Sequence, residues 1–275
     1  MVAETEEASE SAALASYRRA TLRAFLKVRR SRLEPEDVGL PRRARRRSVG
    51  LNREEVALLA GISPHWYERF ETQRDARPGA ATLAALDAAL RLSPAERAYV
   101  RLLATGIEPP QRLAHPDELW ALASESTAFA VFDAGYQRVR SNRLFDVLFG
   151  YEPSGSRLEH NAVHRMFADA SRRAMWADDW NVAAARMVGK VRWLCALTGH
   201  EPPIVDDLAG DAEFRRFWDG FEVDIPDTVR EVTVQHPRVG RIALRVYAPR
   251  MQTGYLCGFY APIDEPSAAA VRALS

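Results

Sequence analysis

From Asn52 to Arg74 the chain runs Asn-Arg-Glu-Glu-Val-Ala-Leu-Leu-Ala-Gly-Ile-Ser-Pro-His-Trp-Tyr-Glu-Arg-Phe-Glu-Thr-Gln-Arg. Asn52 with Glu55 three residues on forms a capping box and opens a helix through Ala60. Gly61 breaks that helix. Ser63-Pro64 then starts a second, with a cap followed by a proline at the first helical position, where the missing N–H costs nothing. A small residue, Ala57, stands where two such helices touch, and Val56, Ile62, Tyr67 and Phe70 are apolar where the interhelical angle must be locked. This is the pattern of a helix-turn-helix, whose second helix lies in the major groove of DNA while the first crosses the backbone. An arginine that reaches O6 and N7 of guanine there discriminates by about 1–3 kcal/mol. Just upstream, Arg42, Arg43, Arg45, Arg46 and Arg47 crowd one linker. They are expected to pack on phosphates or enter the adjacent minor groove, where arginine is drawn by negative potential. The alternative for this run is a solvated basic loop.

Other residues with chemical potential are less well arranged. His160 and His164 have the i, i+4 spacing of metal ligands, but no Glu lies between them and no third ligand is near in sequence, so they read as surface or capping residues. Asp178-Asp179 and Asp206-Asp207 are adjacent pairs whose side chains diverge, poor acid–base partners. There is no G-x-S-x-G, P-loop or G-x-G-x-x-G. Cys195 and Cys257 lie without a CxxC partner, which fits a reducing compartment and no disulfide framework. Neither a metal, a cofactor nor a catalytic residue is expected.

A different signal is aromatic. Five of the six tryptophans, all but Trp66, follow residue 106. Trp176, Trp180, Met187 and Trp193 fall in a helical region and Phe217-Trp218 precede a run of strands. A sheet curled over helices encloses an apolar pocket when such residues line it. Phe132, Trp176, Trp180, Met187, Trp193, Phe217, Trp218 and His236 are the candidate lining, suited to a fatty acid or a polyketide-like metabolite. Ordinary core packing is the competing account of each.

The elements that must position these residues fall into two groups. Helices are expected over Tyr17–Arg32, Asn52–Ala60 and Ser63 to about Gln73, around Leu83, Leu86 and Leu90, and from Ser93 through Leu103. These make a small all-α domain of five short helices over 17–106, behind an acidic, disordered tail at 1–16. The crowding of Pro109, Pro110 and Pro116 marks a linker at 107–116. Beyond it, Ala128–Phe132 and Tyr136–Arg140 read as a hairpin, 143–220 as mostly helical, and Val229–Gln235, Arg241–Tyr247 and Tyr255–Ala261 as three further strands. That is an α+β domain over 117–265 with a five-stranded antiparallel sheet, followed by a tail at 266–275.

Charge supports the division. Residues 17–106 carry 19 Lys and Arg against 10 Asp and Glu, whereas 107–275 carry 19 against 23, within a net charge of +1. Such asymmetry points to a polyanion partner for the first domain. Only Lys27 and Lys190 among the 38 basic residues are lysines. A GC-rich genome favours arginine codons everywhere, but the acidic second half shares that bias, so the asymmetry has another cause. The longest apolar run, Val56–Ile62, is far short of the roughly 18–20 residues that span a bilayer, and the N-terminus lacks the basic start of a secretory signal. A cytoplasmic protein with no membrane partner is expected.

The sequence resembles the phage-repressor-type (XRE) helix-turn-helix regulators and, more narrowly, the MmyB-like transcriptional regulators. The likeness rests on Phe25-Leu26-Lys27-Val28-Arg29-Arg30-Ser31-Arg32-Leu33, Pro35-Glu36-Asp37-Val38-Gly39-Leu40-Pro41 and Arg46-Arg47-Ser48-Val49-Gly50-Leu51, and continues through 53–63 and Arg74-Asp75-Ala76-Arg77-Pro78. The second half matches through Phe167-Ala168-Asp169, Glu213-Phe214-Arg215, Phe217-Trp218 and His236-Pro237-Arg238-Val239-Gly240. The resemblance implies a lambda-repressor-like first domain and a PAS-like second domain that senses a small molecule. It also implies a recognition helix over Ser63 to Glu71 with Pro64, His65 and Arg69 toward the groove, Trp66 beside them, and Asn52, Arg53 and Arg74 near phosphates. Gln73 stands where the family usually has glycine. The function expected is a homodimeric, nucleoid-associated transcription regulator that binds double-stranded DNA and a small apolar ligand. A ligand-free dimerisation platform and an enzyme domain tethered to a DNA-binding module are the alternatives.

Overall fold

The computed structural model describes residues 2–41, 49–72, 78–108, 127–152, 154–225, 229–249 and 255–274. The chain divides into two compact units, 1–109 with 195–200 and 110–194 with 201–275.

The first unit contains helices α1 (Val2–Arg32), α2 (Arg53–Leu59), α3 (Pro64–Thr72), α4 (Ala80–Ala89) and α5 (Pro94–Thr105), with a 3-10 turn at Pro35–Val38. Helix α1 departs from expectation at its start. The segment read as a disordered acidic tail is helical from Val2, so one of the five helices is long rather than short. The reason is local: Ala and Glu, which fill this segment, are strong helix formers. Its other end supplies the core, where Leu22, Phe25 and Leu26 are buried with Tyr99, Leu102 and Leu103 of α5, and Phe25 meets Tyr99 edge-on at 5.6 Å. After the turn the chain returns across the end of α1, where Leu51 N–H donates to Arg30 O at 3.0 Å. Gly50 makes that crossing possible. It has φ +72°, and a Cβ there would lie 2.4 Å from the Ser31 carbonyl oxygen.

The second unit is built on a five-stranded antiparallel sheet in the order β2-β1-β5-β4-β3. Its strands are β1 (Ala128–Phe132), β2 (Arg138–Ser141), β3 (Val229–His236), β4 (Gly240–Tyr247) and β5 (Leu256–Pro262). Between β2 and β3 lie α6 (Arg143–Phe149), α7 (Ala162–Ala168), α8 (Ala170–Trp176), α9 (Trp180–Thr198), α10 (Pro203–Asp207) and α11 (Ala212–Asp219), and α12 (Glu265–Arg272) closes the chain. Register decides which side chains share a face. Phe129 pairs with Phe259 and Val131 with Cys257, so these form a small buried cluster on one face with Tyr247. The alternate residues Phe132, Leu256, Gly258 and Tyr260, with Val246 of β4, face the helices. The hairpin between β1 and β2 turns at Asp133, whose side chain accepts from the backbone N–H groups of Gly135 and Gln137. This Asx-type turn starts β2 two residues later than the alternation suggested.

Candidate nucleic-acid interface and ligand cavity

The capping box at Asn52 forms as its residue types require. Asn52 Oδ1 accepts from Glu55 N–H at 2.8 Å, and Glu55 Oε2 accepts from Asn52 N–H at 2.8 Å. Gly61 takes φ +63° in the turn, and Ser63 Oγ accepts from Trp66 N–H at 3.1 Å to start α3. Val56, Ala57 and Tyr67 are fully buried, with Phe70 nearly so. Burial, then the Glu71 carboxylate, raise the Tyr67 phenol above its ordinary range.

Helices α1, α2 and α3 converge on Glu71, which sequence reasoning did not single out. Its carboxylate accepts from Arg30 Nε at 3.1 Å and Arg30 NH2 at 2.9 Å, and from Arg53 Nε at 2.6 Å. Arg30 also donates to Leu51 O at 2.6 Å. The Glu71 side chain is 2% exposed, Arg30 12% and Arg53 42%. Arg53, expected at phosphates, is therefore first a strut, held at the start of α2 by a carboxylate that raises its pKa. Asn52 is likewise occupied by its cap. Ser63, Pro64, His65 and Arg69 are exposed, whereas Trp66 is half-buried and stacked on Phe70 at 5.2 Å. Arg42, Arg43, Arg45, Arg46, Arg47 and Arg74 lie outside the described residues.

In the second unit a cavity of about 190 Å³ opens between the sheet and the helices. At about 10–15 Å³ for each water-sized occupant, it has room for on the order of a dozen. Phe132, Trp176 and Met187 line it, as do Tyr136, Phe145, Phe149, Met166, Val246, Leu256 and Tyr260. The other five expected lining residues are placed elsewhere. Trp180 donates its indole N–H to Met166 O at 2.9 Å and packs with Phe167 and Phe217 in a separate aromatic group. Trp218 stacks on Phe214 at 5.6 Å with the Arg192 guanidinium over its ring. Trp193 is fully buried outside the cavity lining. His236 accepts from Arg238 N–H through Nδ1 at 3.2 Å, which leaves its Nε2 3.4 Å from Val147 O. That is a turn-fixing role with no face to the cavity. For Trp180, Trp193, Phe217 and Trp218 helical phase turns the side chain from the lining into the packing, whereas His236 ends β3 and is held by its turn.

What the sequence reading missed is charge inside this apolar space. Lys190 of α9, Arg172 of α8 and Arg230 of β3 all line the cavity. Arg172 is buried, its guanidinium 4.6 Å from the Phe149 ring centroid and donating to Phe149 O at 3.4 Å, and burial lowers its pKa. Arg230 stands 3.8 Å from Asp224. Lys190 is 4% exposed. Burial, then Arg230, with Asp224 opposing and Arg186 adding, bring its pKa down to about 7. Helix α9 comes this close because residue 189 is glycine, where a Cβ would lie 2.4 Å from Asp224 N. The one signal in the sequence was the rarity of lysine. Burial also pushes the Cys257 thiol up to about 11, making it a poor nucleophile.

His160, read as non-metal, has Nε2 2.8 Å from Glu152 O and 3.2 Å from Arg138 NH2. Among the described residues no group of three His, Cys, Asp or Glu could hold a metal ion, and no helix is long and apolar enough to cross a membrane.

Two family matches follow the same division of the chain. Residues 42–100 match a helix-turn-helix domain, and residues 116–274 match the MmyB-like transcription regulator ligand binding domain. None of the curated proteins compared matches the chain. A capped, glycine-turned helix pair whose second helix exposes Pro64, His65 and Arg69, followed by a domain with a cavity, fits those two matches. Because the second spans more than half of the 275 residues, the chain belongs to the MmyB-like transcription regulators, DNA-binding proteins that carry a ligand-binding domain.

Proposed function

We propose that the protein is a homodimeric regulator whose affinity for a pseudo-palindromic operator is set by an amphiphilic ligand, apolar with one polar head, in the second domain. The observation that carries this is an apolar cavity with a buried lysine in its wall that has no hydrogen-bond or ion-pair partner among the described residues. Aromatic and aliphatic side chains suit a fatty acyl or polyketide-like body, and the charged end suits a head group that apolar walls alone would not select. His65 and Arg69 read the bases and Pro64 supplies shape. Arg42, Arg43, Arg45, Arg46, Arg47, Arg53 and Arg74 neutralise phosphates, and Asn52 holds the start of α2 against them through its cap. Dimerisation follows from the two half-sites about one turn apart that this motif reads. The domain acts as a sensor and not as an enzyme, and the protein works in the cytoplasm on the nucleoid. Ligand binding shifts the population between two arrangements of the DNA-binding domains by its differential affinity for them, and by no more.

The test is fluorescence anisotropy on the chain's own upstream DNA across a salt series, with and without decanoate. Saturable, salt-steep binding that random DNA does not compete away, and that decanoate shifts, supports the reading. Binding no tighter than to random DNA, or indifference to every amphiphile tried, overturns it. The arginine arm is tested in the same assay. Arg45→Ala with Arg46→Ala should flatten the slope of log K against log salt by about two phosphate contacts, and an unchanged slope makes the arm a bystander.

A further inference from the structure

The cavity's three inner cations are not equivalent. Arg172 donates to Phe149 O and Arg230 faces Asp224 at 3.8 Å. Lys190, buried to 4% exposure and lining the cavity, has no hydrogen-bond or ion-pair partner among the described residues. A buried polar group without a partner is costly unless a ligand supplies one. Composition sharpens the question. In a chain with 38 basic residues, only Lys27 and Lys190 are lysine. An anion receptor is served better by arginine, whose fork binds a carboxylate with two hydrogen bonds and never loses its charge. What lysine offers and arginine cannot is a proton it gives up, which leaves a nucleophilic amine.

We propose that Lys190 is a covalent capture site, at which its side-chain amine condenses with the carbonyl carbon of an aldehyde- or ketone-bearing apolar ligand to form an imine. A C–N bond forms, the carbonyl C–O bonds break, and the oxygen leaves as water with the two amine hydrogens. Nothing is oxidised or reduced, and hydrolysis reverses the step. The amine is suited to this. Desolvation and the nearby Arg230 and Arg186 guanidiniums disfavour the ammonium, while Asp224 restrains that effect, so the side chain titrates at about 7 and is neutral in large part near neutrality. A ligand body packed on the aromatic lining displaces the water that would otherwise hydrolyse the imine, and the arginines remain to pair with any acidic group on the same ligand. This inference rests on the ligand-pocket reading above and gives that ligand a reactive group.

The experiment uses the full chain with decanal, followed by reduction with cyanoborohydride and intact and peptide mass analysis. Expected is one adduct, of the aldehyde's mass less one oxygen, at Lys190, formed at least tenfold faster than at the exposed Lys27. Decanol, which fills the cavity but cannot react, should suppress it in the unaltered protein. Lys190→Arg, which keeps the charge but has no amine to condense, should abolish the adduct in a protein that still unfolds cooperatively. The rate in the unaltered protein should rise with pH through about 7. Equal labelling of Lys27, no adduct at all, or labelling indifferent to decanol overturns the proposal. If decanoate and decanol raise the unfolding temperature and decanal leaves no adduct, covalent capture fails and the ligand-pocket reading stands. If none of the three raises it, the pocket reading falls and covalent capture falls with it.

Discussion

Replacing Lys190 by methionine should stabilise the protein, by an amount that depends on pH in one direction. In the fold this side chain titrates at about 7, against 10.5 for the free group. Where both states are protonated, below about pH 6, the folded state bears the full cost of the buried ammonium. At about 1.36 kcal/mol for each tenfold change in proton affinity, that cost is about 5 kcal/mol. Between 7 and 10.5 the unfolded chain holds the proton and the folded chain does not, so the stability of the unaltered protein climbs with pH. Above 10.5 the amine is neutral in both states and the difference is gone. Methionine has similar length and no charge, so its own stability carries no such term. The charged groups around the lysine (Arg172, Arg186, Arg230, Asp179, Asp224 and Glu231) are common to both proteins and drop out of the comparison. Urea unfolding of the two proteins at pH 6, 7, 8, 9 and 10 should therefore give a gap that favours the variant and narrows by roughly 1.4 kcal/mol per pH unit above pH 8. A gap that is flat across this range, or that favours lysine at pH 6, would refute the desolvated lysine and with it the reason for its chemistry.

Three further outcomes follow from named contacts. Glu71→Ala strands the Arg30 guanidinium, which is 12% exposed, whereas the more exposed Arg53 regains water. The loss should be about 3 kcal/mol, a fall of roughly 12–24 °C in the melting of the DNA-binding unit, and a calorimetric loss below about 1 kcal/mol rejects the strut. Gly189→Ala places a Cβ 2.4 Å from Asp224 N, so backbone must move. It should cost about 1–3 kcal/mol and weaken amphiphile binding measured by fluorescence, and a silent variant would contradict the close approach. At Asp169 burial opposes ionisation but is outweighed by hydrogen bonds from Ser171, Arg165 and Arg172 N–H, which hold its carboxyl near 2 against 3.8 when free. Its contribution is thus complete above pH 4 and is lost as pH falls through 2. Asn keeps the helix cap, so the stability gap between Asp169→Asn and the unaltered protein should be constant above pH 4 and close toward pH 2.

Legibility followed the range of the interactions. The caps at Asn52, Ser63 and Ser93, the turn at Gly61 and the five strands were readable because each depends on residues within a few positions of one another. The helical start of α1 was misread because charge alone suggested disorder, although Ala and Glu together favour helix. Among the aromatics, Trp176 and Trp180 are four residues apart on either side of a short 3-10 turn. One lines the cavity and the other is locked to Met166 O. That turn changes the phase between α8 and α9, and no fixed helical period carries across it.

By itself, then, the sequence determined that this is a two-domain regulator, because its basic, capped helix pair and its later alternating strands are local patterns that mean the same thing wherever they fold. Tertiary structure alone decided what the second domain can hold. The cavity is lined from β1, β3, β4, β5 and the helices between β2 and β3, segments that together span more than 100 residues, and Lys190, with no hydrogen-bond or ion-pair partner among the described residues, is buried where Gly189 lets α9 close on Asp224. Desolvation is a property of everything packed around a group, so the chemistry of that lysine could not be read from its neighbours in the chain.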